Sequence, residues 1–117
     1  MSAEVAASLA QRQLDAYNAA DLDAFSACYA DDVIVLDGDG SPTMRGRTEL
    51  RERYGILFAR FRDVRADLIA RVACGSHAID HERWSRVDRE TGDASAGEIL
   101  ARYTVRDGLI AVVQFLR

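Results

Sequence analysis

The chain has 117 residues, of which 49% are apolar and 29% charged, and its net charge is −4. This length fits one domain with one core, and the composition excludes a disordered chain. No apolar run approaches the ~20 residues that span a membrane. The first residues lack the basic and apolar segments of a secretory signal. The sequence therefore predicts a single cytoplasmic domain over residues 1–117 with no membrane partner.

The basic residues are all arginine, a bias typical of a GC-rich bacterial genome. The net negative charge argues against a nucleic-acid partner. The arginines from Arg45 to Arg65 alternate with acidic residues, and this pattern indicates a solvated helix face. Cys28 and Cys74 have no CxxC spacing, so we expect both to be buried, inert thiols.

The first half of the chain reads as helical. Apolar residues recur at three- and four-residue spacing over 3–19, and Gln13 lies on the same stripe, so its amide points toward the core. Asp21 is a plausible N-cap for a second helix that continues to Asp31, with Tyr29 on its apolar face. Residues 33–36 form a buried strand that ends in a turn. A third helix, capped by Thr48, follows.

We expect Phe61 to lie on the inner face of the third helix. From Val64 the apolar residues recur at every second position, which indicates a strand. Alternating residues continue to about 72, a turn follows at 74–76, and a strand is expected near 77–87. Hairpin signals at 91–93 and at Asp107-Gly108 precede a last strand over 109–116. Helices followed by an antiparallel meander indicate an α+β fold, in which a curved sheet wraps three N-terminal helices and leaves a conical cavity.

Asp37 is the first candidate for chemistry. Its position at the end of an apolar strand, in phase with Val33 and Val35, places the carboxylate partly inside the fold. Desolvation there would raise its pKa and suit it to proton transfer. The alternative is that Asp37 only begins a turn, as aspartate often does before glycine. The Asp37–Gly40 string lacks the other ligands of a calcium loop, so no metal is predicted.

His81 is the second candidate, because its side chain titrates near neutral pH and could act as acid, base or hydrogen-bond donor. On a strand, Ile79, His81 and Arg83 share one face, while Asp80, Glu82 and Trp84 share the other. The pattern does not decide which face meets the cavity. His77 lies about 13 Å along the strand from His81, so the pair does not predict a zinc site. The alternative is a surface charge ladder.

Aromatic side chains form a third group, and at helical and strand spacing they serve as core or as pocket lining. The sequence contains no glycine-rich phosphate loop and no nucleophile triad, so no cofactor is predicted. The predicted ligand-binding set is Gln13, Tyr17, Tyr29, Tyr54, Trp84, Ala101 and Tyr103.

Three stretches carry a family resemblance: 17–25, 29–33 with Asp37 and 45–47, and the closing 103–110. Together they resemble SnoaL-like proteins of the nuclear-transport-factor-2-like superfamily, and ketosteroid-isomerase-like proteins among them. The resemblance covers nearly the whole chain and implies a cone-shaped α+β domain. It says less about activity, because this fold hosts many functions.

The resemblance also implies roles for single residues. Asp37 falls at the position of the isomerase base, and Tyr29 and Tyr54 at supporting tyrosines. Gln13 and Ala101 replace the two oxyanion donors of that pattern. Loss of such a donor typically costs 10²–10³ in rate, so authentic steroid isomerisation is not expected.

Two functions follow as hypotheses. The first is a cofactor-independent isomerase, cyclase or lyase that binds a small apolar carbonyl ligand, with Asp37 as base and His81 or Gln13 as polariser. It predicts that Asp37 and His81 face one cavity. The second is a non-catalytic ligand-binding or dimerisation module. Because the last strand is apolar on both faces, we expect a homodimer through the sheet.

Overall fold

The computed structural model describes residues 2–117, which begin with two capped helices. Helix α1 spans Ala3–Asn18, and the Ser2 side chain accepts a hydrogen bond from the Val5 N–H at 3.3 Å. Helix α2 spans Leu22–Ser26. The predicted cap is confirmed, since Asp21 Oδ1 accepts from the Ala24 N–H at 3.1 Å. Both caps satisfy N–H groups that have no partner within the helix.

The second helix is shorter than predicted, because strand β1 already begins at Tyr29 and spans Tyr29–Leu36. A short strand β2, Pro42–Arg45, pairs with it antiparallel where the sequence predicts only a turn. Helix α3 spans Arg47–Arg60 and begins after Gly46, which adopts a φ of 87°, so the predicted Thr48 cap is wrong. The left-handed conformation at Gly46 favours glycine and turns the chain into the helix.

The remaining chain forms four long strands: β3 over Phe61–Cys74, β4 over His77–Asp88, β5 over Ala94–Arg106 and β6 over Leu109–Leu116. The six strands form one sheet in the order β2-β1-β6-β5-β4-β3. All neighbours are antiparallel except β1 and β6, which run parallel. Three helices and this mixed sheet confirm the α+β class.

The helices cover the concave face of the sheet, and the core lies between the two layers. Side chains from α1, α2, α3 and the inner faces of β1, β5 and β6 fill it. Phe25, Leu50 and Ile110 are the largest apolar side chains that are almost completely buried there. Burial of a side chain of this size contributes ~1.5–3 kcal/mol.

A β-bulge between Leu68 and Ala70 changes the facing of β3. The sequence predicts that Leu68 and Val72 share one face, but the extra residue shifts the phase. As a result Arg71 points inward and Val72 lies on the outer face, where it is exposed.

The convex face of the sheet is open to solvent. Four large apolar side chains, one from each of four strands, lie exposed there: Val72, Ile79, Leu100 and Leu116. Cys74 is also exposed, so only Cys28 is buried as predicted. Within residues 2–117, no helix is both long enough and apolar enough to cross a membrane.

Candidate functional site

A cavity of about 220 Å³ lies between the helices and the concave face of the sheet. Its lining is mostly apolar, with seven aromatic and four aliphatic side chains and four polar ones from α1, β4 and the residue after β6. The aromatic members are Tyr17, Phe25, Tyr29, Tyr54, Trp84, Tyr103 and Phe115, and the polar ones Gln13, Glu82, Arg86 and Arg117. Apolar walls with a few converging polar groups are typical of small-molecule sites.

A chain of hydrogen bonds through Gln13 orders one side of the cavity. Gln13 Nε2 donates to the Ala10 carbonyl at 3.0 Å, and this carbonyl, which can only accept, fixes the orientation of the amide. Gln13 Oε1 then accepts from the Tyr29 hydroxyl at 3.2 Å, and Nε2 donates to the Tyr103 oxygen at 2.9 Å. The hydroxyl proton of Tyr103 is left to donate into the cavity.

Burial keeps both phenols protonated. Desolvation raises the pKa of Tyr29 and of Tyr103 well above the ordinary value. The negative charge of Glu82 raises both further. Tyr103 is therefore a neutral hydrogen-bond donor whose polarity is increased by the chain that begins at Tyr29.

Glu82 is the acidic group of this cavity. It lies in the middle of β4 and is only 6% exposed, and its Oε2 atom has no hydrogen-bond partner among the described residues. Desolvation and the nearby Asp80 raise its pKa to about 7, while Arg71 opposes the shift. A buried carboxyl that titrates near neutral pH suits both proton acceptance and proton donation.

Asp80 lies beside Glu82 on the same face and is fully buried. Arg71 donates to both of its carboxylate oxygens, at 2.6 and 2.9 Å, and also to Gln11 at 3.0 Å. The bidentate pair balances the charge of Asp80. Asp80 thus contributes a fixed negative charge next to the unpaired carboxyl of Glu82.

Asp37 lies outside this cavity. It is exposed and borders a second pocket of about 410 Å³, which shares Tyr54, Leu57, Phe115 and Arg117 with the first. Its backbone N–H donates to the Ser41 carbonyl at 2.8 Å, and its carbonyl accepts from Gly40 at 2.9 Å. The turn interpretation therefore describes its geometry, and the expected burial of Asp37 is wrong.

His81 lies on the convex face of the sheet. Its Nε2 atom is 3.3 Å from Glu98 Oε1, and Arg83 contacts the same carboxylate at 3.6 Å. This arrangement is the charge ladder that the sequence left open. His81 borders neither pocket, so the structure does not bring Asp37 and His81 together.

Six of the seven predicted ligand-binding residues line the cavity, and Ala101 does not. Ala101 is completely buried opposite Asp80 in the β4–β5 pairing. Glu82 was not selected from the sequence because charged residues occupy both faces of β4. The one available signal was the apolar Trp84 beside Glu82, which marks the inner face. In the described residues, no cluster of three or more His, Cys, Asp or Glu side chains could hold a metal ion.

The family model of the SnoaL-like domain matches residues 10–113 of the chain. No curated protein sequence matches the chain.

Solved structures with the same fold include proteins of different kinds. An uncharacterised cystatin-fold protein from Novosphingobium aromaticivorans has a TM-score of 0.88 at 23% identity, covering 100% of this chain and 99% of the other. A Δ5-3-ketosteroid isomerase from Mycobacterium has a TM-score of 0.83 at 19% identity, covering 100% of this chain and 94% of the other. An epoxide hydrolase from M. tuberculosis has a TM-score of 0.83 at 16% identity, covering 97% of this chain and 82% of the other. At these identities the likeness concerns the fold.

Proposed function

The chain belongs to the family of SnoaL-like domains, and from this premise we propose that it binds a small apolar carbonyl compound and catalyses proton transfer next to the carbonyl. Glu82 is the general base, and the Tyr103 hydroxyl stabilises the negative charge that develops on the carbonyl oxygen of the ligand. The observation that carries the proposal is the unpartnered Glu82 oxygen, buried in a cavity that also holds a free phenolic donor. A cytoplasmic location is part of the proposal, and the unpaired cysteines suit it.

In the first step, the Glu82 carboxylate takes a proton from the carbon next to the ligand carbonyl. The C–H electron pair forms a carbon–carbon double bond, and the carbonyl π pair moves onto the oxygen. The Tyr103 O–H donates a hydrogen bond to that oxygen, where negative charge develops. Glu82 then returns the proton to the same carbon. Where a further carbon–carbon double bond is conjugated with the enolate, the proton can instead go to the far carbon of that system, and this outcome is an isomerisation.

Gln13 and Tyr29 act through Tyr103. Because Gln13 occupies the acceptor side of the Tyr103 oxygen at 2.9 Å, the hydroxyl proton is directed away from α1. The Tyr29–Gln13 bond at 3.2 Å completes the chain. The aromatic walls exclude water, which strengthens both the base and the donor. Gln13 was predicted to polarise the ligand carbonyl itself. In this proposal Tyr103 does so, and Gln13 positions the Tyr103 hydroxyl.

The test is deuterium exchange into butyrophenone, a small neutral ketone, followed by NMR in D2O near pH 7.5. We expect exchange above the buffer rate, which falls to background in Glu82→Gln. In Tyr103→Phe we expect a fall of roughly 10²–10³-fold, the usual loss for one donor. Glu98→Gln on the convex face is the matched control and should exchange at the wild-type rate.

The catalytic role predicted for Asp37 stays a prediction, and Asp37→Asn is the discriminating variant. If Asp37→Asn abolished exchange while Glu82→Gln retained it, Asp37 would be the base and the proposal would be wrong. Absence of exchange in the wild type would also overturn the catalytic proposal. It would favour the second candidate, a ligand-binding module in which the Tyr29–Gln13–Tyr103 chain only satisfies buried polar groups.

We also propose that two copies of the chain pair through the convex face. The support is the group of exposed apolar side chains on that face. Single exposed apolar residues are common on monomers, but such groups usually mark an interaction surface.

A further inference from the structure

We propose that Arg86 is an anion-binding subsite, and that the ligand is a small carbonyl compound carrying a carboxylate. The carboxylate pairs with Arg86, and the reacting carbon lies toward Glu82 and Tyr103. This inference rests on the proposed function for the role of Glu82, but the binding of the carboxylate can be tested without any turnover.

The guanidinium of Arg86 is held by two aromatic rings. Its central carbon lies 4.1 Å from the centroid of the Phe61 ring and 5.1 Å from that of Trp84. Cation–π contacts of this kind use none of the guanidinium N–H groups as hydrogen-bond donors. Those coplanar donors match the two oxygens of a carboxylate. The rings thus orient Arg86 before a ligand arrives.

Arg86 has no acidic partner among the described residues. Its Nε atom is buried and makes no hydrogen bond. Two other arginines near the same elements do have partners, since Arg71 pairs with Asp80 and Arg60 with Asp88. A buried donor without an acceptor costs free energy. The fold gives Arg86 no acidic partner within residues 2–117, so a ligand carboxylate in the cavity would be the counter-ion of its guanidinium.

The charges of the lining favour an anion. Among residues 2–117, Glu82 is the one acidic side chain that borders the cavity, against the guanidiniums of Arg86 and Arg117. Glu82 makes no ion pair with Arg86 in the described structure. The positive charge of Arg86 is therefore available to a ligand instead of being neutralised within the lining.

Spacing and volume limit the ligand. Glu82 and Arg86 are four residues apart on the inner face of β4, which separates their Cα atoms by roughly 13 Å. Trp84 lies between them and offers a flat aromatic surface. The cavity, about 220 Å³, is smaller than the ~300–1,000 Å³ of typical drug-sized sites. A molecule with one ring and a short carboxylated chain fits these limits, and a four-ring steroid does not.

The test uses 4-oxo-4-phenylbutanoate and its primary amide, which share a shape and differ in charge. Dissociation constants are measured by NMR titration at pH 6. The wild type should prefer the carboxylate roughly 10-fold, the usual value of one charge-assisted contact. Arg86→Gln should lose the preference while it keeps its affinity for the amide. Arg83→Gln, on the convex face of the same strand, is the control and should keep the preference.

Thermal unfolding of each variant checks that it is folded. If Arg86→Gln does not fold, Arg86→Lys replaces it, and we expect a preference reduced to a few-fold because the ammonium lacks the planar fork. A full preference in the Arg86 variant, no preference in the wild type, or no binding of either compound would overturn the inference.

Deuterium exchange into the same compounds separates this inference from the proposed function. A carboxylate preference without exchange would leave the Arg86 subsite intact and overturn proton transfer by Glu82. Exchange that depends on Glu82 but does not distinguish the acid from the amide would support the proposed function and overturn the subsite.

Discussion

Glu82 combines two properties that rarely occur together in a residue with a purely structural role: it is buried and one of its oxygens has no partner. Its neighbour Asp80 is equally buried, yet Arg71 satisfies it with two hydrogen bonds. The charge of Asp80 disfavours a second negative charge at Glu82. The fold therefore stabilises the protonated form of Glu82 and makes its carboxylate a stronger base.

This shift predicts a pH dependence of stability. The pKa of Glu82 is about 7 in the folded state against 4.5 for the free group. Between these values the folded protein holds a proton that the unfolded chain has released, so the free energy of unfolding falls as pH rises. The total loss is about 3 kcal/mol.

Glu82→Gln removes the group and should cancel this dependence. We expect the variant to be more stable than the wild type at pH 8, by up to about 3 kcal/mol, and to gain nothing at pH 4.5. Urea unfolding across this range measures the difference. Glu98→Gln, a half-exposed residue of β5, is the comparison. An equal difference at both pH values would show that Glu82 has an ordinary pKa.

At the residue scale, the sequence predicted the lining better than the chemistry. Gln13 stood out because an amide on an apolar stripe requires buried partners, and Tyr29 and Tyr103 are those partners. Glu82 did not stand out, because β4 carries charges on both faces. Its facing depends on the partners that β3 and β5 bring from elsewhere in the chain. The Asp37 side chain was expected inside the fold because it follows Val33 and Val35 at two-residue spacing. That alternation ends at Leu36, since the turn begins at Asp37 itself.

Among the elements, β4 and β5 show how closely two strands define the cavity wall. Gly97 lies directly opposite Trp84 in their pairing. A Cβ atom at Gly97 would lie 2.9 Å from Trp84 Cζ2 and 3.0 Å from Cε2 and Nε1. The absence of a side chain at Gly97 therefore allows the indole to lie across β5, where it contacts Arg86.

Gly97→Ala should displace the indole and destabilise the protein. Overpacking of this kind costs about 1–3 kcal/mol. Denaturant unfolding gives the free energy, and since Trp84 is the sole tryptophan, its fluorescence reports the displacement directly. Gly38→Ala is the matched control, because its added Cβ would meet ordinary contacts of 3.5 and 3.7 Å. An unchanged emission spectrum in Gly97→Ala would contradict the packing described here.

Element types were largely predictable and element limits were not. The helical stripe of α1 and the turn at Gly108 are local signals. Tyr29 and Phe61 fit a helical face equally well, but they begin strands because β6 and β4 provide pairing partners. The bulge in β3 has no local signal either, since the alternation on both sides of Ile69 is regular. Its evidence is the inward position of Arg71, which pairs with Asp80.

In the whole molecule, the sheet separates two surfaces with different tasks. The concave surface encloses the cavity, and the convex surface presents Ile79, Leu100 and Leu116 to solvent. His81 and Arg83 share Glu98 on the same surface. A second copy related by a two-fold axis would cover the apolar group with its own equivalent.

Leu100→Glu should therefore prevent the pairing of two copies. Leu100 is 40% exposed, so the charge should dissociate the dimer without unfolding the protomer. Sedimentation at ~10 μM measures the mass, since interfaces of standard size persist at this concentration. Ile56→Glu is the control, because Ile56 is 60% exposed on α3 and should not affect assembly. A wild-type protein that sediments as a monomer would refute this arrangement.

The parallel pairing of β1 with β6 has a consequence for how the chain acquires its structure. The register joins Val35 to Val113, so an early strand has no neighbour on one side until the last strand has been synthesised. Contacts between such distant segments slow folding, because the long intervening chain must be ordered first. The sheet is therefore complete only when β6 has entered between β1 and β5, and we expect this long-range pairing to be the slow part of folding.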